Sequence, residues 1–206
     1  SMLLRNTTRS LEPASGTLSQ ALGIVNGAVF SDLDGDGFPE LIVATEWGPV
    51  RVFKNQQGKF SEATESLGLG GLTGLWQGVA TGDFDGDGDL DVLSASNNDD
   101  KITWYVNDGN ENFTTHVISD NADGAFSVFA TDMDDDGDID VLSASNLDDK
   151  IAWYENDGSQ NFTERVITTD AGSAVDVFAM DVDGDGDTDI LFTAQNDDKI
   201  GWYEND

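Results

Sequence analysis

The stretch DFDGDGDLD at residues 83–91 occurs in this chain in four closely related forms. The other copies read DLDGDGFPE at residues 32–40, DMDDDGDID at 132–140 and DVDGDGDTD at 181–189. The text after the last three copies also repeats, as DVLSASNNDDKITWYVNDG, DVLSASNLDDKIAWYENDG and DILFTAQNDDKIGWYEND. The chain is therefore an array of four units with a period of about 50 residues, which is typical of propeller blades.

Each unit contains short extended segments separated by Asp, Asn and Gly. In the second unit these segments are residues 78–82, 92–96, 101–106 and 113–118. Apolar residues alternate or cluster within them, and no stretch keeps a helical period. The sequence therefore predicts an all-β fold, a β-propeller built from four four-stranded blades. Neighbouring blades bury each other, because one blade cannot bury both faces of its own sheet.

The repeat predicts one propeller domain over the whole chain. Its approximate blades are residues 26–76, 77–125, 126–174 and 175–206 plus 1–25. The last unit stops after its third strand, and residues 7–24 are predicted to supply the fourth. Pairing of the N- and C-terminal strands would close the ring and remove its open edges. Two alternatives stay open, namely two chains that form an eight-bladed ring and a fragment of a larger propeller.

The repeated loop has the pattern D-x-D-x-D-G-x-x-[DE]. Carboxylates at positions one, three and five of a tight turn can converge on one point, and the glycine at position six permits the sharp turn. Position seven offers a backbone carbonyl, and position nine a carboxylate that can bind through both oxygens. Such an all-oxygen cage suits Ca²⁺, whereas Mg²⁺ prefers a stricter octahedron. The sequence predicts about four calcium ions, one per blade.

Three other interpretations of the loop fit less well. An EF-hand needs an acidic residue at position twelve and flanking helices, but position twelve is Val43, Ser94, Ser143 or Phe192, and the flanks read as strands. Zinc or copper would favour His or Cys ligands. Solvated hairpin turns also favour Asp and Gly, but four copies with the same carboxylate spacing argue against simple turns.

Composition excludes several partner classes. The 206 residues contain 41 acidic and 9 basic side chains, a formal net charge of -32. Such a chain repels nucleic acid and anionic membrane surfaces, which bind through Lys and Arg. No apolar run is long enough to span a membrane, so neither nucleic-acid binding nor membrane insertion is expected. The absence of cysteine excludes disulfides and thiolate metal sites.

Some other recurrent residues invite a functional interpretation. The pairs Trp104-Tyr105, Trp153-Tyr154 and Trp202-Tyr203 recur at the blade period, and packing between blades is favoured over sugar stacking. The paired aspartates before them, each followed by Lys, predict turns with a local ion pair. His116 is interpreted as structural because no nucleophile accompanies it. The sequence therefore predicts a protein that is not an enzyme.

The loops, together with GVATGDFDGDGDLDVL and DDKIxWYEND, resemble the FG-GAP/VCBS repeats of integrin-α-like propellers. The first unit is more similar to the FG-GAP repeats of cartilage-acidic-protein-type sequences. The resemblance implies calcium in the hairpin between the first two strands of each blade. The side chains implied as ligands are Asp32, Asp34, Asp36, Glu40, Asp83, Asp85, Asp87, Asp91, Asp132, Asp134, Asp136, Asp140, Asp181, Asp183, Asp185 and Asp189. The implied carbonyls at position seven are those of Phe38, Asp89, Asp138 and Asp187.

The resemblance also bears on function and location. It implies a secreted, extracellular or cell-surface protein that binds partners. The sequence thus predicts a calcium-binding, non-catalytic binding or adhesion scaffold, whose ligand is a protein or a glycan. A carbohydrate-binding lectin and an accessory propeller of a larger secreted protein or enzyme remain alternatives. Self-association also stays open, because two chains could complete one ring.

Overall fold

The computed structural model describes residues 4–6, 11–13, 22–110 and 112–205, which form strands, turns and bends without an α-helix. The strands in this part of the chain are β1 (Leu4–Asn6), β2 (Leu11–Pro13), β3 (Val25–Ser31), β4 (Glu40–Gly48), β5 (Arg51–Gln56), β6 (Lys59–Glu62), β7 (Gly74–Gly82), β8 (Asp91–Ser96), β9 (Lys101–Asn107), β10 (Phe113–Ser119), β11 (Ala125–Thr131), β12 (Asp140–Ser145), β13 (Lys150–Asn156), β14 (Phe162–Thr168), β15 (Ala174–Met180), β16 (Asp189–Ala194) and β17 (Lys199–Tyr203). The predicted all-β class is confirmed. Nothing in the described ranges is a helix that could cross a membrane.

The strands group into four antiparallel units that follow the sequence repeat. The first unit is β3 to β6, the second β7 to β10, the third β11 to β14 and the fourth β15 to β17. Consecutive strands within a unit pair with each other, and the segments predicted in the second unit are confirmed as β7 to β10. The end of β4 also pairs with β7, opposite Leu75 and Gly74, so the first two units share one sheet.

Ring closure stays a prediction. β1 pairs with β2, and Asn6 lies opposite Leu11. The pairing of β5 with β6 has the same register, because Asn55 lies opposite Phe60. This hairpin therefore has the register of the third and fourth strands of a unit. The fourth strand predicted from residues 7–24 falls largely on residues 7–10 and 14–21, outside the described residues. Within the described ranges β17 pairs only with β16.

The second strand of each unit forms the centre of the core. Every residue of β8 and of β12, both DVLSAS, is buried. A strand covered on both faces needs apolar or small side chains throughout, because neither face meets water. The flanking sheets provide this cover, so the units stabilise one another.

Apolar side chains fill the space between neighbouring units. One cluster joins the second and third units through Phe84 and Trp104 on one side and Val128 and Tyr154 on the other. Trp104 contacts Phe84 and the third unit's Phe162 edge-on, with ring centroids 6.0 and 5.8 Å apart. The prediction that the Trp-Tyr pairs pack between blades is therefore confirmed for the second unit.

The first strands of the units lie side by side around a common cleft. β3 packs on β7, β7 on β11 and β11 on β15, and all four line a cleft of about 980 Å³. Gly78 allows close approach here, since a Cβ would lie 3.1 Å from the carbonyl oxygen of Phe126. At the equivalent position of the next pair, the Ser127 hydroxyl donates to Asp176 Oδ1 over 2.9 Å. This arrangement is consistent with a propeller-like fold.

Asparagine side chains connect each unit to the one before it. The Nδ2 amide of Asn107 donates to the carbonyl of Leu33 over 2.9 Å. The amide of Asn156 donates to the carbonyl of Phe84 over 2.9 Å, and Asn205 repeats the contact with Met133 over 3.2 Å. These bonds cross the interface between units at the level of the aspartate-rich loops.

We expect Asn156→Ala to lower the free energy of unfolding by about 1–3 kcal/mol, because the carbonyl of Phe84 loses a buried hydrogen bond and that of Ile139 a part-buried one. Asn55→Ala is the matched control, since the Asn55 amide donates to the exposed Pro39 carbonyl of its own unit. Urea unfolding of both variants measures the difference. Equal losses would contradict a role between units.

Candidate metal centre

Each unit carries its aspartate-rich loop between its first and second strands. The glycine at position six has a positive φ in every loop, from 86° at Gly37 to 109° at Gly186, so the predicted sharp turn is present. The N–H of this glycine donates to the position-one carboxylate in the first three loops, for example from Gly88 to Asp83 Oδ2 over 3.0 Å. These bonds curl the loop around its own carboxylates.

The structure brings three of the four predicted carboxylates of each loop together, and the groups do not include Glu40, Asp87, Asp140 or Asp185. In each loop, three carboxylates offer oxygen atoms that lie within 4.8 Å of one another. Positions one and three belong to every group, joined by position five in the first and third loops and by position nine in the second and fourth. The groups are Asp32-Asp34-Asp36, Asp83-Asp85-Asp91, Asp132-Asp134-Asp136 and Asp181-Asp183-Asp189.

The position-nine carboxylate has a second task that the sequence pattern did not reveal. Asp91 is fully buried, and its two oxygens accept from the backbone N–H groups of Phe84 at 3.1 Å and Asn107 at 2.7 Å. Glu40 makes the corresponding contacts in the first loop, and Asp140 and Asp189 do so in the third and fourth. This residue therefore ties the start of the loop to the end of the third strand.

The contacts of the position-seven residue involve its N–H and its side chain. Its N–H donates to the position-five carboxylate, as from Asp89 to Asp87 Oδ1 over 2.9 Å. The Asp89 carboxylate itself lies against Gly109, where an added Cβ would collide with it. The side chain thus faces the turn after the third strand. Coordination by the carbonyls of Phe38, Asp89, Asp138 and Asp187 stays a prediction.

Three loop oxygens are buried without a hydrogen-bond partner. They are the Oδ1 atoms of Asp32, Asp85 and Asp132, at position one or three of the first three loops. A buried carboxylate oxygen without a donor is costly, and a cation at the convergence point would satisfy it. The residues present therefore fit a metal ion bound entirely by oxygen atoms.

Burial makes the charged form of these carboxylates unfavourable. It raises the pKa of Asp91 to about 6, against the lowering effect of the bonds from Asn107 and Phe84, and it likewise raises the pKa of Asp140 to about 6. The pKa of Asp85 is raised by burial and then by the charge of Asp87. In the fourth loop, the bonds from Asn205 and Val182 instead lower the pKa of Asp189.

The third loop departs from the others at position four. Asp135 has a φ of 59° where the other loops have Gly35, Gly86 and Gly184. Its loop and the fourth loop border a pocket of about 190 Å³. The pKa of Asp187 is raised by the charge of Asp185, by burial and by the charge of Asp135. The third loop therefore combines backbone strain with repulsion between loops.

Residues outside the loops have structural contacts. The His116 ring packs on Trp104, with centroids 5.2 Å apart. In the paired-aspartate turns, Lys150 Nζ lies 3.2 Å from Asp148 Oδ2, and Asp100 Oδ1 accepts from the N–H of Gly124 over 3.0 Å. The predicted turn with a local ion pair is confirmed, and the second aspartate also anchors the following segment.

In the presence of a chelator, Asp135→Gly should raise the melting temperature by a few degrees, because glycine adopts a positive φ without strain and the repulsion of Asp187 disappears. The reverse change in the second loop, Gly86→Asp, should lower it. Differential scanning fluorimetry of the two variants checks both signs, and an unchanged melting temperature for Asp135→Gly would count against the strain.

The comparisons with known proteins bear on the fold. No curated protein sequence matches the chain. Among solved structures, the chain is similar to the V. cholerae biofilm matrix protein Bap1, with a TM-score of 0.54 and 20% identity over 89% of this chain and 31% of that one. It is also similar to the rhamnogalacturonan lyase YesW, with a TM-score of 0.48 and 18% identity over 82% and 40% of the two chains. The chain thus spans less than half the length of either protein.

Sequence comparison bears on the family. Residues 32–94, 83–143 and 132–192 each match the family model of the FG-GAP-like repeat. The overlapping matches extend through all four aspartate-rich loops and the sheets between them. The resemblance drawn from these loops is therefore confirmed, and the chain belongs to the FG-GAP-like repeat family.

Proposed function

We propose that this protein is a calcium-stabilised β-propeller that serves as a non-catalytic extracellular binding scaffold. The observation that carries the proposal is the convergence of three carboxylates in each of four loops. Oxygen-only ligand sets favour Ca²⁺ over zinc or copper, and a flexible cage of six to eight oxygens favours it over Mg²⁺.

In this proposal each loop holds one ion through the carboxylates of positions one, three, five and nine. The ion would supply the positive charge that the loop lacks. Two carboxylates about 4 Å apart repel by roughly 1 kcal/mol in water and about 4 kcal/mol at an effective dielectric constant of 20. Bound calcium offsets this repulsion and joins the first two strands of each unit, so the ion acts on stability.

The scaffold role is supported by the family and by the fold. FG-GAP-like repeats cover most of the chain, and the fold is similar to that of a biofilm matrix protein, which favours an extracellular adhesion role. The lectin alternative has less support because Trp104 and Tyr105 are buried between units. The proposal therefore favours a protein partner bound by the loops at one end of the units.

We expect a chelator to lower the melting temperature by many degrees and added Ca²⁺ to restore it. A ligand present at about 100 times its dissociation constant contributes roughly 2.7 kcal/mol per site. Calorimetric titration of the chelated protein should give about four sites, with Mg²⁺ binding more weakly. A melting curve that neither chelator nor calcium moves would overturn the proposal.

A matched pair of variants distinguishes calcium binding by a loop from the general effect of removing one negative charge. Asp85→Asn should remove one binding site and reduce the stabilisation by calcium. Asp120→Asn removes the same charge from an exposed position outside the loops and should leave the number of sites unchanged. Loss of a site in both variants, or in neither, would contradict binding within the loop.

For the chelated protein, we expect stability to fall as pH rises from about 4 to about 6. Asp91 and Asp140 have folded-state pKa values of about 6, above the unfolded value of about 3.9. The folded state thus binds more protons in this window, and its advantage is present below pH 4 and lost above pH 6. Thermal melts of the chelated protein at several pH values measure this loss of stability. In Asp91→Asn the melting temperature should depend less on pH. Stability that rises through the window would contradict the raised pKa values.

A further inference from the structure

The four units differ in the charge of one residue on the third strand. This residue directly precedes the asparagine near the end of that strand, and we call its place the flanking position. It is occupied by Lys54, Val106, Glu155 and Glu204 in the four units. Positions one, three, five and nine of the loop are acidic in every unit, so the flanking position adds a charge difference that the loop pattern does not contain.

In the first unit, the flanking lysine lies beside the aspartate-rich loop. Lys54 Nζ is 4.0 Å from Oδ2 of Asp34, the position-three carboxylate, and the two side chains are only 27% and 25% exposed. Asp34, Glu40 and Lys54 also line one small cavity, whose other side is formed by Asn107 and Phe113 of the second unit. Partial burial reduces the screening of charges by water and salt, so Lys54 acts on this loop more strongly than an exposed lysine would.

The second loop shows position three with an uncharged residue at the flanking position. Asp85 Oδ1 is buried and has no hydrogen-bond partner, whereas Val106 packs on the apolar cluster between the second and third units. In the first loop, Asp34 Oδ1 accepts from the N–H of Asp36 over 3.3 Å, and Oδ2 faces Lys54. The protein itself therefore supplies the first loop with part of the positive charge that the second loop lacks.

The third unit has the opposite charge at the same place. Burial raises the pKa of Asp134, the position-three residue, and the charges of Asp136 and Glu155 raise it further. Glu155 also forms an ion pair with Arg165, which offsets part of its charge. The flanking residue thus acts on the position-three carboxylate in the third unit as it does in the first, but with the other sign.

We propose that Lys54 lowers the calcium affinity of the first loop and stabilises this loop while it is empty. The inference rests on the proposed calcium binding. An ammonium group beside Asp34 offsets the repulsion among the loop carboxylates, and it repels a divalent cation bound to the same carboxylate. The first loop therefore fills at a higher calcium concentration than the second, so the sites of the array fill in an order that the flanking residues set.

Two substitutions of Lys54 test this role with residues that the chain already uses. Lys54→Val introduces the flanking residue of the second unit, and Lys54→Glu introduces that of the third and fourth. Lys59→Glu is the matched control, because it makes the same charge change at an exposed position on β6 of the same unit. None of these residues is a predicted metal ligand, so all four sites are retained in every variant.

The position-six glycines allow calcium binding to be followed loop by loop. The N–H groups of Gly37 and Gly88 donate to the position-one carboxylates of the first and second loops over 2.9 and 3.0 Å. Their amide resonances in ¹⁵N-labelled protein should therefore shift when Ca²⁺ binds, and titration of the chelated protein gives a midpoint for each loop.

We expect Lys54→Val to lower the first-loop midpoint about tenfold and Lys54→Glu to lower it further, because each step removes one charge of repulsion toward the ion. The second-loop midpoint should stay unchanged in both variants, and Lys59→Glu should move neither midpoint. An unchanged first-loop midpoint in both Lys54 variants, with calcium still binding at the loops, would overturn this inference and leave the proposed function intact. Glycine resonances that do not respond to calcium in any loop would contradict both.

Melting curves test the stabilisation of the empty loop. With a chelator, Lys54→Val should melt at a lower temperature than the unmodified chain, because the loop carboxylates lose the charge that offsets their repulsion. With saturating Ca²⁺ this difference should disappear or change sign. An equal loss of stability in both conditions would show that Lys54 acts through packing alone, and would overturn the inference.

Discussion

The buried carboxylate at the end of each aspartate-rich loop connects three levels of this structure. Asp91 accepts from the backbone at the start of its loop and from Asn107 at the end of the third strand. The side chain of Asn107 then donates to the preceding unit. A single acidic residue thus joins the candidate metal loop, the sheet that carries the loop and the interface with the neighbouring sheet. The loop and the packing between units therefore share one continuous set of hydrogen bonds.

The acidic residues of the loops affect the stability of the fold. The loops place carboxylates close together and partly out of water, which raises the pKa values of Asp85, Asp91, Asp134 and Asp140. A fold that buries like charges without compensation loses stability. In the proposed function the cation provides this compensation, and the same ion holds the first two strands of a unit. Binding and folding are then one linked equilibrium.

The repeated apolar positions show that burial depends on the neighbouring unit. Ile102, Ile151 and Ile200 have the same sequence context, yet only Ile200 is exposed. The side chain is identical in all three units, so the difference lies in whether a sheet packs on it within the described residues.

Much of this could be predicted from the sequence. The period, the strands of the second unit, the convergence of the carboxylates and the packing of Trp104 follow from local spacing, because turns and alternating strands are set by neighbouring residues. The bridging role of Asp91 and Asn107 could not be predicted, nor could the raised pKa values or the exposure of Trp202. The contacts of Asp91 depend on how the strands of its unit fold back on one another. The contact of Asn107 with Leu33, the burial behind the raised pKa values and the exposure of Trp202 depend on how the sheets pack together.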